Sequence, residues 1–483
     1  MKAPVTGGSG FVGGRKRKLS RAASKVLDRA GAAAARGGRK RRWRRKIRSA
    51  SVRAGLGARG RHKPSRHNRI ARRRRASRGS AIARRRRRLP AGPKALPEME
   101  TLQSEWQRAQ KAAEEAAELG INLIGYSRSE TGMGESCRLA AMAIEKAGLP
   151  LGIMHVGLDN LVNIDISWVH KEIPEPQFKT NLFHINAPEM PLVTDRFGEA
   201  LYHGRLNIGY WAWELPEFPD EYLHGLQRLD EVWVPSMFVR DSIAAKSNVP
   251  TIVIPHGIHI EELPEHLNRH FFGLPSDRFL FLCMYDSYSM KARKNPQAVI
   301  EAFRKLTLAY RVPVELVVKI NHPNPEETAA LQEQLDGLPN VTIIDRVLTR
   351  TEAKALIRAA DCFVSLHRSE GFGLPLAEAM FLGKPVIGTN WSGNTDFMNP
   401  GNSGAVNYRF VHVGQDYGPY KAHQIWADPD IEHAAHLMGK TVFDDGWRKM
   451  IAAGGSQTIR SHFSPQVVGN AIKERLLFRR RTL

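Results

Sequence analysis

The sequence has little cysteine and no long apolar run. Its three cysteines, Cys137, Cys283 and Cys362, are far apart in apolar or helical surroundings. This spacing excludes a disulfide framework and a cysteine metal site, and favours reduced core thiols in a cytoplasmic protein. No stretch approaches the ~20 apolar residues that span a bilayer. No Asp-x-Asp or His/Cys cluster has the character of a metal site, so we expect neither a metal ion nor a cofactor.

Acidic residues are almost absent from the first 97 residues. This segment holds 34 Lys and Arg and a single acid, Asp28, with no apolar periodicity. Such composition predicts a disordered arm over residues 1–97. Residues 98–483 hold 38 basic and 47 acidic residues, so the net charge of +24 describes the arm and not the remainder of the chain.

Three interpretations of the arm remain open. It binds nucleic acid through phosphates, or it gives a peripheral contact with an anionic inner membrane face, or it reflects a start codon assigned too early. In the last case Met99, just before a plausible helix over Glu100–Leu119, is the start. Nucleic acid is the least favoured partner because residues 98–483 are net acidic. The arm lacks the apolar core of a signal peptide.

The remaining 386 residues exceed what one hydrophobic core usually serves, so two domains are expected. Apolar β-type runs alternate with helical stretches, which predicts an α/β fold with two doubly wound, Rossmann-like parallel sheets. The predicted strands of the first half are Ile121–Tyr126, Leu151–Val156, Asn181–Ile185, Leu206–Tyr210, Glu231–Val234 and Thr251–Ile254. Those of the second half are Phe279–Met284, Val314–Ile320, Val341–Asp345, Cys362–Leu366 and Pro385–Gly388.

A change in pattern marks the predicted domain boundary. Gly257 and the polar stretch 261–265 interrupt the alternation, so the boundary is expected near 257–276. We predict a first domain over 98–262 and a second over 263–464.

One segment of the second half has the form strand, glycine loop, helix. The strand at 361–366 leads into Glu370-Gly371-Phe372-Gly373-Leu374-Pro375, and helical composition follows over 377–382. Free N–H groups and the positive end of a helix dipole favour an anion, usually a phosphate, at such a corner. Carboxylates do not bind phosphate, so Glu370 and Glu378 are expected to accept hydrogen bonds from hydroxyls. Together these features predict a nucleotide-sugar site.

Glu370 and Glu378, with Gly-Phe-Gly-Leu-Pro between them, resemble the Glu-x7-Glu signature of family 4 retaining glycosyltransferases (glycosyl transferases group 1), which have the GT-B fold. The resemblance implies metal-independent transfer of a hexosyl group from a nucleotide-diphosphate sugar to a glycan, lipid or small molecule. It assigns Glu370 to sugar hydroxyls and Glu378 to the ribose. It also implies a last helix, 465–483, that packs on the first domain. The amides expected to line the sugar and diphosphate are those of Gly371, Phe372, Gly373 and Leu374.

Two further loops of the second half carry candidate residues. Arg293 and Lys294 lie just before a predicted helix around Ala298–Lys305, where basic residues oppose the helix dipole unless an anion is bound. The resemblance implies that this pair holds the donor diphosphate. Gly393, in Asn390–Asn394, resembles a later glycine loop near the nucleotide, and Asp396 stands where many family members have Glu.

The first half contributes less specific candidates. Gly132 and Gly134 precede a predicted helix over Cys137–Lys146, and form either a tight turn or a loop for phosphate or acceptor. His184 ends a strand, where a histidine is often structural; the resemblance places such a residue near the reacting centre. Tyr210–Pro216 contains three aromatic residues and Glu214, which suit core packing or contact with an acceptor sugar.

Two other functions remain open at this stage. One is a sugar epimerase or phosphorylase on the same fold, and an epimerase needs acid/base carboxylates in the crevice. The other is a nucleic-acid-binding protein that acts through the basic arm.

Overall fold

The computed structural model describes residues 119–157 and 165–482, together with single residues between 104 and 118. The predicted arm, residues 1–97, and Met99 lie outside the described residues. In the described part, no helix is long and apolar enough to cross a membrane.

The first domain is built on a six-stranded sheet. All of its strands are parallel, as expected where strands alternate with helices. The strands are β1 (Ile121–Gly125), β2 (Leu151–His155), β3 (Thr180–His184), β4 (Leu206–Tyr210), β5 (Glu231–Val234) and β6 (Thr251–Val253), in the order β2-β1-β3-β4-β5-β6. The helices are α1 (Gly132–Lys146), α2 (Met190–Phe197) and α3 (Met237–Ala244).

The second domain contains another six-stranded parallel sheet. Its strands are β7 (Phe279–Asp286), β8 (Val314–Asn321), β9 (Val341–Ile344), β10 (Cys362–Ser365), β11 (Val386–Thr389) and β12 (Gly404–Val406), in the order β12-β11-β10-β7-β8-β9. The helices are α4 (Lys291–Lys294), α5 (Pro296–Ala309), α6 (Pro325–Gln334), α7 (Arg350–Ala359), α8 (Leu374–Phe381), α9 (Ile431–Phe443) and α10 (Asp445–His462).

The central strands are buried from end to end, which explains their continuous apolar runs. Every residue of β1 and β3 is buried, and β8 is buried except at its last residue. Helices cover both faces of a parallel sheet, so its strands lack the alternation of a half-exposed sheet. The predicted α/β fold class is confirmed, and the limits of the predicted strands agree with the structure to within two residues. Strand β12 was not predicted.

A two-stranded antiparallel sheet was not predicted. Its strands, β13 (Tyr408–His412) and β14 (Ile425–Pro429), pair in register from Tyr408–Pro429 to His412–Ile425. The connection between them, residues 413–424, is called here the 413–424 loop.

The last helix, α11 (Pro465–Thr482), packs against α1 of the first domain. Val468, Ile472 and Leu476 are buried in the same apolar cluster as Ile144. The two helices approach so closely that a Cβ on Gly469 would lie 2.1 Å from the carbonyl oxygen of Ala143.

Two helix limits correct the prediction. Helix α1 begins at Gly132 and not at Cys137, because the Thr131 hydroxyl caps it by accepting a hydrogen bond from the Gly134 N–H at 3.3 Å. Arg293 and Lys294 lie not in an open loop but on the short helix α4. This helix ends at Asn295, whose φ of 51° turns the chain into α5.

Candidate active site

A cleft of about 700 Å³ lies between the two domains. It is lined by loops that follow β3 and β4 of the first sheet and β7, β8 and β10 of the second, in addition to the start of α1. Ligands bind at the carboxyl ends of strands in such sheets. The glycine loop predicted from sequence, residues 371–374, forms part of the wall.

Steric limits explain both glycines of this loop. Gly373 has a φ of +95°, which favours glycine, and it caps the N-terminus of α8. A Cβ on Gly371 would lie 2.9 Å from the carbonyl oxygen of Trp213 in the first domain. The Gly371 carbonyl also accepts a hydrogen bond from the Ser236 hydroxyl at 2.6 Å, so the loop is anchored to both domains.

Gly393 supports the loop from behind and does not line the cleft. Its N–H donates to the carbonyl oxygen of Glu370 at 2.9 Å. A Cβ there would lie 2.1 Å from the carbonyl oxygen of Gly371, so only glycine fits without a shift. Asp396 accepts a hydrogen bond from the Met237 N–H at 2.8 Å, across the domain boundary.

Glu370 forms the centre of a charged group at the start of the loop. Its Oε1 lies 2.6 Å from Lys294 Nζ, and its Oε2 lies 3.4 Å from Arg293 Nη1. Burial alone raises the pKa of a carboxyl group, but the charges of Lys294 and Arg293 outweigh it and lower the pKa of Glu370 to about 2. Glu370 is therefore a carboxylate, held between two cations, at neutral pH.

Arg293 and Lys294 differ in how their side chains are engaged. The Arg293 guanidinium is buried and donates to the carbonyl oxygen of Ser369 at 2.9 Å. Its Nη2 lies 3.6 Å from Glu214 Oε1 in the first domain. Burial opposes its charge, but nearby Tyr420, Glu214 and Glu370 raise the pKa of Arg293. The Lys294 side chain is 20% exposed and lines the cleft, so it is the more accessible cation for a ligand.

Glu378 lies on α8 beside a second charged group that crosses the cleft. Lys354 Nζ lies 3.4 Å from Glu378 Oε1 and 2.6 Å from Glu135 Oε1 of the first domain. Arg350 Nε lies 2.9 Å from Glu135 Oε2. Burial raises the pKa of Glu378, against the opposing charge of Lys354. Burial acts in the same direction on Glu135, but Lys354, Arg350 and Arg138 lower the pKa of Glu135 to about 2.

His184 does not line the cleft. It is fully buried, its Nε2 lies 2.6 Å from the Ser136 hydroxyl, and its ring stacks on Tyr210 at 4.3 Å. The Ser136 hydroxyl also lies 3.3 Å from Nδ1 of His256, a residue that does line the cleft. Burial lowers the pKa of His184 well below its ordinary value and that of His256 to about 3, so both rings are neutral at pH 7.

Gly132 and Gly134, the two candidate glycines of the first domain, lie in different surroundings. Gly132 lines the cleft, with no atom within 4 Å of an added Cβ. Gly134 is buried against the preceding turn, where a Cβ would lie 2.0 Å from the carbonyl oxygen of Ser129. Gly134 thus shapes the turn, and Gly132 contributes open backbone to the wall.

A search of the described residues finds no group of three or more His, Cys, Asp or Glu side chains arranged to hold a metal ion. The chain does contain one Asp-x-Asp sequence, Asp428-Pro429-Asp430. Asp428 Oδ1 lies 3.1 Å from Arg368 Nη2, and Asp430 caps α9 by accepting from the His433 N–H at 3.0 Å. Both carboxylates therefore have structural partners.

Comparison with protein families identifies the central part of the chain. Residues 269–409 match the model of glycosyl transferases group 1. This part of the second domain is therefore similar to the glycosyl transferases group 1 family. This confirms the resemblance that the Glu-x7-Glu segment indicated, and the match includes the strands and loops that carry Arg293, Lys294, Glu370 and Glu378.

The chain is also similar to the serotype-specific mannosyltransferase WbdA of Escherichia coli. One WbdA sequence is 27% identical over 190 residues, which are 36% of this chain and 23% of the relative. Another is 32% identical over 121 residues, 25% of this chain and 14% of the relative. The chain thus matches about a quarter or less of the length of these relatives.

Solved structures share the two-domain fold. The Anabaena protein HepE, in complex with UDP and glucose, aligns with a TM-score of 0.52 and 14% identity over 74% of this chain and 99% of its own. A glycosyltransferase from Rickettsia africae aligns with a TM-score of 0.55 and 15% identity over 74% and 97%. At this identity the similarity shows the fold alone, and the GT-B arrangement predicted for the chain is confirmed.

Several cleft residues of the two domains were not predicted from the sequence. Glu135, Arg350 and Lys354 lie on α1 and α7, and nothing in their local sequence predicted a place in the cleft. Tyr420 comes from the 413–424 loop and lines the cleft beside Glu214. Their placement depends on contacts between segments about 200 residues apart.

Proposed function

We propose that the protein transfers a hexosyl group from a nucleotide-diphosphate sugar to a glycan, lipid-linked or small-molecule acceptor, with retention of configuration and without a metal ion. The observation that carries this proposal is the Lys294–Glu370 pair at the glycine loop that opens α8. It combines a cation for phosphate with a carboxylate for hydroxyls at one place in a cleft of nucleotide-sugar size. The family of residues 269–409 supports the same chemistry.

In this proposal Lys294 holds the donor diphosphate. Its Nζ bonds to Glu370 at 2.6 Å, and a phosphate oxygen provides an alternative partner of the same charge. The N–H groups at the start of α8 add partial positive charge as the leaving diphosphate forms. Arg293, which is occupied by Ser369 and Glu370, contributes mainly its charge and the orientation of Glu370.

The two glutamates bind hydroxyls. Glu370, a carboxylate with a low pKa, accepts hydrogen bonds from the transferred sugar. Glu378 accepts from the ribose, where Lys354 favours its ionised form. Each such bond to a charged acceptor contributes about 1.5–3 kcal/mol.

Retention is assigned to attack from the face on which the phosphate leaves. The bond from the anomeric carbon to the phosphate oxygen breaks, and the bond to the acceptor oxygen forms on the same side. The acceptor proton moves to the departing phosphate oxygen, so no protein nucleophile is needed. His184 lies below the cleft surface and supports Ser136, which lines the cleft together with His256.

The identity of the donor can be tested with a panel of nucleotide sugars. The named relatives include a mannosyltransferase, and HepE was crystallised with UDP-glucose, so GDP-mannose and UDP-glucose are the first donors to compare. The full chain is incubated with each donor, with and without methyl glycosides, in excess EDTA. We expect release of nucleoside diphosphate and a glycoside product with unchanged anomeric configuration by NMR.

The same panel separates the alternatives. An epimerase interconverts sugars without a glycoside product, and a phosphorylase requires inorganic phosphate and forms a sugar 1-phosphate. If EDTA abolished the release of nucleoside diphosphate and Mg²⁺ or Mn²⁺ restored it, metal independence would be contradicted. An inverted product would contradict retention alone.

A further inference from the structure

The 413–424 loop belongs to the second domain by its strands but packs on the first. Val413 and Tyr420 are buried in the same apolar cluster as Trp213 and Phe218. The Tyr420 ring stacks on Trp213 with ring centroids 5.3 Å apart. Gln424 Nε2 donates to the carbonyl oxygen of Glu217 at 3.1 Å. The loop therefore joins the two domains and contributes Pro419 and Tyr420 to the cleft wall.

Tyr420 holds Glu214 at this end of the cleft. The Tyr420 hydroxyl donates to Glu214 Oε2 at 2.9 Å, and Glu214 Oε1 lies 3.6 Å from Arg293 Nη2. Tyr420 is buried, whereas the Glu214 side chain is 25% exposed. Burial, and then the negative charge of Glu214, raise the pKa of Tyr420, so its hydroxyl remains a donor at neutral pH. Glu214 is thus fixed on both sides and still faces the cleft.

Asn186 provides a complementary group on the same wall. Its Oδ1 accepts from the Ala212 N–H at 3.1 Å, two residues before Glu214. Among the described residues its Nδ2 makes no hydrogen bond, and Asn186 lines the cleft. An amide N–H and a carboxylate oxygen together match a hydroxyl group, which both donates and accepts. Met133, Met290 and Pro419 add apolar surface to this part of the wall.

We propose that Asn186, Glu214 and Tyr420 form a subsite for a neutral glycoside acceptor, in which Glu214 accepts a hydrogen bond from an acceptor hydroxyl and the 413–424 loop sets acceptor affinity by holding Glu214 through Tyr420. This inference rests on the proposed function, and it names the acceptor class and the loop that selects it. Tyr420 is a positioning residue, since it acts through Glu214. An acceptor with a carboxylate at this position is disfavoured by the charge of Glu214.

The test compares Tyr420→Phe with Tyr417→Phe in the full chain. The first variant removes only the hydroxyl that bonds Glu214 and keeps the ring on Trp213. Tyr417 lies on the same loop with its ring 6.2 Å from that of Trp426, does not line the cleft, and serves as the matched control. The acceptor is the methyl glycoside that most accelerates nucleotide release by the natural chain. Glu214→Gln is a second variant.

The acceptor KM of Tyr420→Phe is expected to rise about tenfold, the effect of losing one hydrogen bond to a charged group, with a smaller change in kcat. Glu214→Gln should raise the acceptor KM at least as much, and Tyr417→Phe should leave the acceptor KM unchanged. The donor KM and the slow hydrolysis of donor in water should stay the same in Tyr417→Phe, and in Tyr420→Phe the acceptor KM should change more than the donor KM.

An unchanged acceptor KM in Tyr420→Phe, or an equal change in Tyr417→Phe, overturns the inference. So does a natural chain that hydrolyses donor but is accelerated by no neutral glycoside. A natural chain that releases no nucleotide from any donor instead refutes the proposed function, and the inference with it.

Discussion

Lys354 Nζ lies 2.6 Å from Glu135 Oε1 and joins the two domains across the cleft. Lys354 is buried, and its second partner, Glu378 Oε1 at 3.4 Å, lies on the helix that follows the glycine loop. One cation therefore connects the packing of the domains with a predicted ribose-binding carboxylate. Removing one member of a buried ion pair leaves its partner uncompensated, which costs more than the pair itself contributes.

Glu135→Gln should destabilise the protein by about 3 kcal/mol, because Lys354 and Arg350 lose their shared carboxylate. Denaturant unfolding at pH 7 measures this change. The control is Glu145→Gln on the same helix, where Glu145 forms a largely exposed pair with Lys171. Its effect should be below about 1 kcal/mol. If the two variants lost similar free energies of unfolding, the interdomain ion pair would contribute no more to stability than an exposed pair.

Glu370→Ala should reduce transfer about ten- to a hundredfold while the fold persists, because a charge-assisted hydrogen bond to the donor sugar is lost in the transition state. Initial rates with the best donor and a melting curve measure the two effects. Glu333→Ala, on an exposed position of α6, is the matched control. A rate for Glu370→Ala equal to that of the control would remove Glu370 from the site.

Lys294→Met should weaken the binding of a nucleoside diphosphate about tenfold or more and leave the free nucleoside nearly unaffected, since Lys294 is expected to contact phosphate. Calorimetry with GDP and guanosine, or UDP and uridine, tests this difference. Lys291→Met is the control. Lys291 lies on the same short helix, its Nζ lies 3.7 Å from Glu327 Oε1, and it does not line the cleft. If Lys294→Met lost the same affinity for the nucleotide as for the nucleoside, the role of Lys294 would be structural.

Stability should fall as the pH drops below about 6.5, partly because of the buried pair His184 and His256. Burial lowers the pKa of His256 to about 3 in the folded chain, so the unfolded chain binds its proton first. At pH 4.5 this costs about 2–3 kcal/mol for His256 alone, at 1.36 kcal/mol per pH unit. The loss begins below the unfolded pKa and is complete only near pH 3.

His256→Gln should flatten this dependence, which urea unfolding at pH 7.0, 5.5 and 4.5 can follow. The exposed His203→Gln provides the control. Because every carboxylate is common to the variants, the difference between their slopes isolates the histidine. Parallel pH profiles for His256→Gln and the natural chain would contradict the assignment.

The local pattern of the sequence was sufficient for the fold and for the central loop. Buried parallel strands need continuous apolar runs, and these runs appear in the order that two doubly wound sheets require. The glycines at 371 and 373 are demanded by a close approach to Trp213 and by a positive φ. The positive φ of Gly373 is a local constraint, so it remains visible in a single sequence, whereas the approach of Gly371 to Trp213 joins two domains. Arg293, Lys294 and Glu370 were each singled out in the sequence, but the 2.6 Å contact between Lys294 and Glu370 was not predicted.

Contacts between distant segments were decided by the tertiary structure alone. Glu135 and Lys354 are 219 residues apart in the chain, and Glu214 and Tyr420 are 206 apart. A helical glutamate and a loop tyrosine carry no mark of such partners, because exposed and buried polar residues obey the same local periodicity. His184 was visible as a residue at a strand end, but its burial beneath Ser136 and Tyr210 follows from the packing of α1 and β4 above it. Sequence thus determined the strands of the two parallel sheets apart from β12, because their apolar runs are local, and the docking of two domains determined which side chains share the cleft.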